Sequence, residues 1–229
     1  MKILIGCEES QAVCIEFRKL GFEAYSCDLK PCSGGHPEWH LQMDVFEAIK
    51  LIKPTLAVFH PTCTYLTVTA NRWLKDQPKR ESGRLVGEER RIAQREAIEF
   101  FKNLWYADIE HIAIENPIGV MSRELKKADQ IIHPSYFGDA TTKATCLWLK
   151  NLPKLKWTKK DNLFEQATYV EPEIYTSKTG KKYPKWSMID ACKIKDLDLR
   201  SEFRSKTFPG IAKAMAVQWG EFLKEKDTK

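Results

Sequence analysis

Residues 56–67, LAVFHPTCTYLT, decide the fold. The stretch begins with a short apolar run and stops at Pro61, a pattern that predicts a buried parallel strand. Cys63 follows in a Pro-Thr-Cys turn. In open α/β sheets chemistry takes place just beyond the carboxyl ends of the strands, so Cys63 lies where a nucleophile is expected. The alternative is a buried structural cysteine, because free cysteine is among the residue types most often buried.

A second motif, HIAIENP at residues 111–117, has the same form. A short apolar strand again ends in polar groups, here Glu115 and Asn116, followed by a breaker. An acid at one strand end near a cysteine at another makes a plausible acid and nucleophile pair. Alternatively, Glu115 is a helix cap or a loop acid.

Length and composition limit the class of protein. A chain of 229 residues predicts one domain of ordinary size, and no apolar run approaches a membrane span, so no membrane partner is expected. The net charge of +6 is compatible with a polyanionic partner without demanding one. Residues 1–6 are predicted to form a strand rather than a signal peptide, because they run directly into Glu8. Seven cysteines without regular spacing argue against a disulfide framework and favour a cytoplasmic protein, which we expect to be a monomer.

Strands and helices alternate along the chain. Beside the two motifs, apolar runs predict strands at 2–5 and 22–27, and two further apolar runs lie at 131–137 and 144–149. Helices are predicted after a Ser10 cap, from an Asp44 cap through residue 52, at 88–106, at 123–128 and after residue 208. This alternation predicts an α/β fold with a mainly parallel sheet and helices on both faces.

Two stretches interrupt the alternation. Residues 68–90 are polar and too long for an ordinary connection, which indicates a functional or mobile loop whose basic residues, such as Arg72, are candidates for phosphate contacts. Residues 150–206 mix lysines, among them Lys181 and Lys182, with tryptophan and tyrosine, which suits a nucleic-acid surface or a solvated region with its own small core. We therefore predict a core at 1–149, a small basic and aromatic recognition region at 150–206, and a C-terminal helix at 207–229 that returns to the core.

Taken in order, the motifs resemble those of the DNA cytosine-5 methyltransferases, most closely their compact phage-type relatives. The turn Pro61-Thr62-Cys63 resembles the family's Pro-Pro-Cys loop, whose cysteine attacks the base. Glu115-Asn116-Pro117 resembles its Glu-Asn-Val motif, whose glutamate holds the cytosine. The resemblance covers about the whole chain and implies a Rossmann-like S-adenosylmethionine-dependent methyltransferase fold.

Further positions extend the resemblance, although the Phe-x-Gly-x-Gly of the family's cofactor turn is absent. Lys143 stands on the strand where the family has Gln-x-Arg-x-Arg, with Thr145 at the second arginine position. The implied catalytic residues are Cys63, Glu115 and Lys143. The implied cofactor-binding residues are Gly6, Cys7, Glu8, Asp28, Asp44, Pro61, Gly210 and Ile211. The implied DNA-binding residues are Asn116, Arg72, Lys181 and Lys182.

The implied reaction is methyl transfer from S-adenosylmethionine to C5 of cytosine in DNA. The Cys63 thiolate would add to C6, which makes C5 enamine-like, and Glu115, if protonated or sharing a proton, would stabilise charge at N3. We expect a helix N-terminus or nearby basic residues to lower the pKa of Cys63. Two other functions stay open: modification of a free cytosine nucleotide, and a non-catalytic protein that grips DNA or a host factor.

Four further residues form a candidate zinc site. Cys27, Cys32, His36 and His40 are ligand types at short spacing, but no paired Cys-x-x-Cys is present and Asp28 has a competing cofactor role. We therefore predict no metal, and His36 alternatively lines the adenosine or target pocket.

Overall fold

The fold is built on one seven-stranded sheet in the order β3-β2-β1-β4-β5-β7-β6. The computed structural model describes residues 1–159 and 167–227. The strands of the sheet are β1 Lys2–Gly6, β2 Glu23–Asp28, β3 His40–Gln42, β4 Leu56–Phe59, β5 His111–Pro117, β6 Gln130–Ile132 and β7 Thr145–Lys150. All neighbours pair in parallel except β7, which runs antiparallel to both β5 and β6. This sheet confirms the predicted Rossmann-like α/β class.

Helices cover both faces of the sheet. They are α1 Ala12–Lys19, α2 Val45–Ile52, α3 Gly87–Trp105, α4 Met121–Glu124, α5 Ala191–Lys193, α6 Leu197–Ser205 and α7 Pro209–Asp227. Helices α1 and α7 share one core layer with Ile3, Ile5 and Val58, whereas α2 and α3 share the other with Leu4 and Phe59. Successive residues of a strand point to opposite faces, so the continuous apolar runs of β1 and β4 supply both layers.

Helix α7 is the long C-terminal helix predicted from residue 208. Ile211, Met215 and Trp219 are all buried, as predicted, and the Trp219 indole N–H donates to the carbonyl of Pro153 at 3.0 Å. Within residues 1–159 and 167–227, no helix is long and apolar enough to cross a membrane.

Two local predictions were wrong, and one apolar run is divided between two elements. Ser10 does not cap α1: Gln11 occupies the cap position, and the Glu8 carboxylate accepts from the amides of Val13 and Cys14 instead. The helix predicted at 123–128 lies at Met121–Glu124. The apolar run at 131–137 is divided between β6 and a 3-10 turn at Pro134–Phe137, because proline cannot donate to a strand ladder.

The predicted recognition region has little regular structure, and its residues 160–166 lie outside the described part of the chain. It contains a hairpin of β8 (Ile174–Thr176) and β9 (Lys182–Pro184), a π-helical turn at Trp186–Asp190, and then α5 and α6. The backbone N–H of Glu173 donates to the carbonyl of Ala140, and the Trp186 indole N–H donates to the carbonyl of Thr142. These bonds attach the hairpin to the segment that leads into β7.

Candidate active site

The two motifs meet at the carboxyl edge of the sheet. Gly6 of β1 pairs with Phe59 of β4, and Phe59 pairs with Ile114 of β5. The residues that follow these three positions therefore lie side by side at the carboxyl edge, in the turns after β1 and β4 and in the last residues of β5. Because β1 and β4 lie where the strand order reverses, this edge is where an open α/β sheet binds its ligands.

Cys63 lies in the turn after β4, half-buried and close to Glu115. Burial raises the pKa of the Cys63 thiol and the negative charge of Glu115 raises it further, while Lys143 and Arg204 act in the opposite direction. No helix starts at the cysteine: the amides of Leu66 and Thr67 bond back to its carbonyl, and the next helical turn begins at Val68. The expectation of a lowered Cys63 pKa was therefore wrong, because burial and the carboxylate outweigh the nearby cations.

Glu115 pairs with His60, a residue that the sequence analysis did not select. The His60 Nδ1 lies 3.1 Å from Glu115 Oε2, and the two side chains are 10% and 11% exposed. Burial alone would lower the pKa of His60, but the hydrogen bond and the charge of Glu115 raise it. Burial alone would raise the pKa of Glu115, but His60 and Lys143 lower it. Each partner therefore favours the charged form of the other, and the lowered pKa of Glu115 does not support the expectation of a protonated acid.

His60 directly follows β4 in the stretch that decides the fold, so its position at a strand end was visible in the sequence. Its partner was not, because pairing with Glu115 depends on the register between β4 and β5. Arg204, which contributes positive charge near Cys63, was also missed; it lies near the end of α6, far away in sequence.

Asn116 holds the two motifs together. It is 2% exposed, and its Nδ2 donates to the carbonyl of Pro61 at 2.7 Å. A buried side chain in this position does not offer its amide to a DNA surface, so we reassign Asn116 from DNA contact to support of the Cys63 turn.

A small pocket beside Glu115 collects several of the predicted residues. It is lined by Glu115, Lys143, Thr145, Thr207, Phe208 and Ile211. The Lys143 ammonium donates to the carbonyl of Arg204 at 3.1 Å and lies 5.8 Å from the centre of the Phe208 ring. The start of α7 therefore lies at the carboxyl edge of the sheet. Ile211 lies next to the candidate catalytic residues Glu115 and Lys143.

The predicted cofactor residues divide into two groups, and the first surrounds Cys7. This residue has a φ of 60°, and burial together with the charges of Asp28 and Asp44 raises the pKa of its thiol. Asp28 accepts from the amide of Lys30, while Asp44 caps α2 as predicted and accepts from the amides of Phe46 and Glu47. Two carboxylates thus lie near the turn that follows β1.

The second group, Glu8, Gly6 and Gly210, supports the packing of the elements around the site. Glu8 is 3% exposed and directs its carboxylate into the start of α1. A Cβ on Gly6 would lie 2.6 Å from Phe59 Cδ1, and one on Gly210 would lie 1.9 Å from the carbonyl oxygen of Phe137. Both glycines therefore permit close packing of elements that border the edge.

The predicted DNA contacts lie on exposed surfaces away from this centre. Lys181 and Lys182 are exposed in the β8–β9 hairpin. Arg72 and Arg80 lie 4.6 Å and 3.9 Å from the centre of the Trp73 ring, within the basic connection that follows Cys63. No described contact brings these residues to Cys63.

The four candidate zinc ligands have other partners. Cys27 donates to the carbonyl of Met43, Cys32 donates to Gln11, and His36 stacks on Trp39 with ring centres 3.9 Å apart. His40 lies within hydrogen-bond distance of Ser26 and of the Lys30 carbonyl. In the described part of the chain, no three histidine, cysteine or acidic side chains form a group that could hold a metal ion.

Comparison with known proteins gives only distant similarities. No family model and no curated protein matches the chain. Solved structures similar to it include a prophage-encoded E. coli protein described as a DNA modification methyltransferase, with 12% identity, a TM-score of 0.43, and coverage of 75% of this chain and 53% of that one. The S. pombe Dnmt2 methyltransferase has 15% identity and a TM-score of 0.43, and the similarity covers 69% of this chain and 51% of that one.

A variant of the Spodoptera frugiperda DNMT2 has 15% identity and a TM-score of 0.36, with coverage of 74% and 55%. The first two are named as methyltransferases. The chain spans about half the length of these structures. At this level of similarity, the assignment of function rests on the residues of the site itself.

Proposed function

We propose that this protein transfers a methyl group from S-adenosylmethionine to C5 of cytosine in DNA. One observation carries the proposal: Cys63 follows β4, Glu115 lies near the end of the adjacent β5, and the two are close enough for the carboxylate to shift the pKa of the thiol. A nucleophile and a nearby carboxylate are the two groups that this reaction needs from the protein.

Cys63 acts as the nucleophile. Its thiolate forms a bond to C6 of the base, and the electrons of the C5–C6 double bond move to C5, which can then accept a methyl group. Loss of the C5 proton reforms the double bond and expels the thiolate. Because burial and Glu115 raise the pKa of the Cys63 thiol, the thiolate is scarce at neutral pH and correspondingly nucleophilic when formed.

The region around Cys7 fits the cofactor. S-adenosylmethionine supplies an electrophilic methyl group on a sulfonium. Asp28 ends β2 and Asp44 caps α2, both lie near Cys7, and each has one carboxylate oxygen engaged by backbone amides. We assign Asp28 to the ribose hydroxyls and Asp44 to the adenine amino group, with Gly6, Cys7 and Pro61 forming the surrounding backbone. Gly210 and Ile211 close the pocket from α7.

DNA is the proposed substrate because the connection that carries Arg72 and the hairpin that carries Lys181 and Lys182 are basic and expose these side chains. A base inside a duplex cannot reach a half-buried thiol, so the target cytosine must be flipped out. We assign Arg72, Lys181 and Lys182 to phosphate contacts, which would hold the duplex without reading its sequence.

The proposal is tested by incubating the protein with labelled S-adenosylmethionine and, separately, duplex DNA, single-stranded DNA or dCTP. We expect label in duplex DNA, recovered as 5-methylcytosine after digestion, and none with the Cys63→Ala variant. Label only in dCTP would establish the free nucleotide as substrate. Absence of label in every cytosine substrate, with DNA binding retained, would establish a binding protein instead.

A further inference from the structure

His60 lies between the proposed cofactor turn and the proposed base site. Its backbone amide donates to the carbonyl of Gly6 at 3.0 Å, which attaches it to the end of β1. On its other side, Nδ1 lies 3.1 Å from Oε2 of Glu115. Glu115 also lines the pocket beside Lys143 and Phe208, so the carboxylate meets the imidazole on one side and the pocket on the other.

The carboxylate at this depth needs a cationic partner. An ionised acid with an 11% exposed side chain is costly unless it is paired and hydrogen-bonded. The segment that leads into β7 carries Lys143, but Thr145 follows it rather than a second base, and the Lys143 ammonium donates to the Arg204 carbonyl. Among the described residues, His60 is the one whose side chain bonds directly to the Glu115 carboxylate.

The remaining surroundings of His60 favour its charged form. Two acids, Glu115 and Glu8, raise the pKa of His60, and one cation, Lys143, lowers it. Its Nε2 is buried and has no hydrogen-bond partner among residues 1–159 and 167–227. The imidazole is therefore held through Nδ1 alone, by the carboxylate.

We propose that His60 is a positioning residue for base selection: its Nδ1–H fixes one oxygen of Glu115 and keeps the group ionised, so that the other oxygen accepts from the exocyclic amino group of cytosine. The inference rests on the proposed function. An ionised carboxylate accepts hydrogen bonds and donates none. It therefore favours cytosine, which presents an amino group at C4, and disfavours uracil or thymine, which present a carbonyl oxygen there.

The first test measures the ion pair in the intact protein without any reaction. Imidazole titrations by NMR on protein labelled with nitrogen-15 give the pKa of each histidine. We expect His60 to titrate above its ordinary value of 6.5 and to fall below it in Glu115→Gln, where burial remains and the charge is gone. His133 is the internal control, because burial lowers its pKa. A wild-type His60 that titrates below 6.5, or a pKa unchanged in Glu115→Gln, overturns the pairing.

The second test compares two bases in single-turnover methylation. The substrates are a DNA with cytosine at the target and the same DNA with 2-pyrimidinone, which lacks the amino group. Wild type should prefer cytosine roughly ten- to hundredfold, the usual worth of one buried polar contact. His60→Gln should lose most of that preference while its KM for S-adenosylmethionine is unchanged, and His133→Gln should behave like wild type.

The outcomes separate the inference from the proposed function. A wild type that transfers no methyl group fails the proposed function and overturns the role in base selection, whereas the NMR titrations still decide the ion pair. A His60→Gln variant that methylates normally and keeps full preference for cytosine overturns the positioning role alone. If His60→Gln does not fold, the comparison of the two bases is repeated in His60→Ala, which should show the same loss of preference; retained preference overturns the role.

Discussion

Asn116 Nδ2 donates to the carbonyl oxygen of Pro61 at 2.7 Å, across 55 residues of sequence. This bond joins the end of β5 to the turn that carries Cys63. Both groups are buried, so the bond is made in a region where an unpaired carbonyl is costly. The relative position of the nucleophile and the acid therefore depends on an amide that touches neither.

Removing that amide should disturb the site more than the fold. We expect Asn116→Ala to lower the free energy of unfolding by about 1–3 kcal/mol, because the Pro61 carbonyl loses its partner. The rate of methyl transfer should fall further than this loss of stability explains, since the Cys63 turn is released. Urea unfolding and single-turnover rates measure the two effects, with the exposed Asn71→Ala as control. Full activity in a destabilised Asn116→Ala would contradict the supporting role.

Glu8, rather than Ser10, should carry the start of α1. Glu8→Ala removes the acceptor for the Val13 and Cys14 amides and should cost about 1–2 kcal/mol, the usual effect of losing a helix cap. Ser10→Ala should change the free energy of unfolding by less than about 0.5 kcal/mol, as for most surface substitutions. Equal losses of unfolding free energy in both variants, measured in parallel urea titrations, would show that Ser10 contributes to the cap as much as Glu8.

The buried ion pair predicts a pH window of stability. The pKa of His60 is raised above 6.5, so its contribution is complete below that pH and is lost as pH rises through the folded pKa. The pKa of Glu115 is lowered below 4.5, so its contribution is complete above that pH and is lost as pH falls through the folded pKa.

The difference in free energy of unfolding between wild type and His60→Gln should therefore be largest between pH 4.5 and 6.5 and should shrink on both sides. We expect at most about 3 kcal/mol, because glutamine keeps a donor while the charge is lost. The measurement is a series of urea unfolding midpoints across pH. The midpoint of the variant should vary less with pH than that of wild type. A constant difference from pH 4 to pH 9 would show that the pair is not charged.

The cofactor assignment separates charge from helix capping. Asp44→Asn keeps a good N-cap for α2 and removes the charge, so stability should be retained. Its affinity for S-adenosylmethionine should fall by about 1–3 kcal/mol, as should that of Asp28→Asn. Calorimetry measures both, with the exposed Asp108→Asn, in the loop before β5, as control. Unchanged affinity in both variants would show that the cofactor does not bind at the edge near Cys7.

Much of the sheet was predictable because apolar runs ending at breakers have a simple physical cause. The strands β1, β2, β4 and β5 lie within a residue or two of their predicted positions, and the carboxyl edge collects Cys63, Glu115 and Lys143 as the strand order requires. The predictions that failed concern positions where more than one side chain could bond to the same backbone groups. Glu8 rather than Ser10 reaches the α1 amides, because the sharp turn at Cys7 and Gln11 directs the carboxylate inward.

The electrostatics of the site could not be read from the sequence. Whether Cys63 has a lowered or a raised pKa depends on burial and on distances to Glu115, Lys143 and Arg204, which lie in three other segments of the chain. The pairing of His60 with Glu115 likewise requires the β4–β5 register and the depth of both side chains. Sequence patterns predict which side chains reach the same edge, but not which of them make contact.

Covalent capture by Cys63 tests the central claim most directly. DNA with 5-fluorocytosine at the target has no C5 proton to lose, so the thiolate cannot be expelled after methyl transfer. With S-adenosylmethionine, wild type should form a complex with this DNA that survives denaturation, and its yield should rise with pH because the pKa of Cys63 is raised. Cys63→Ser should bind the cofactor and form no complex. A Cys63→Ala variant that still methylates cytosine at the wild-type rate would contradict the account.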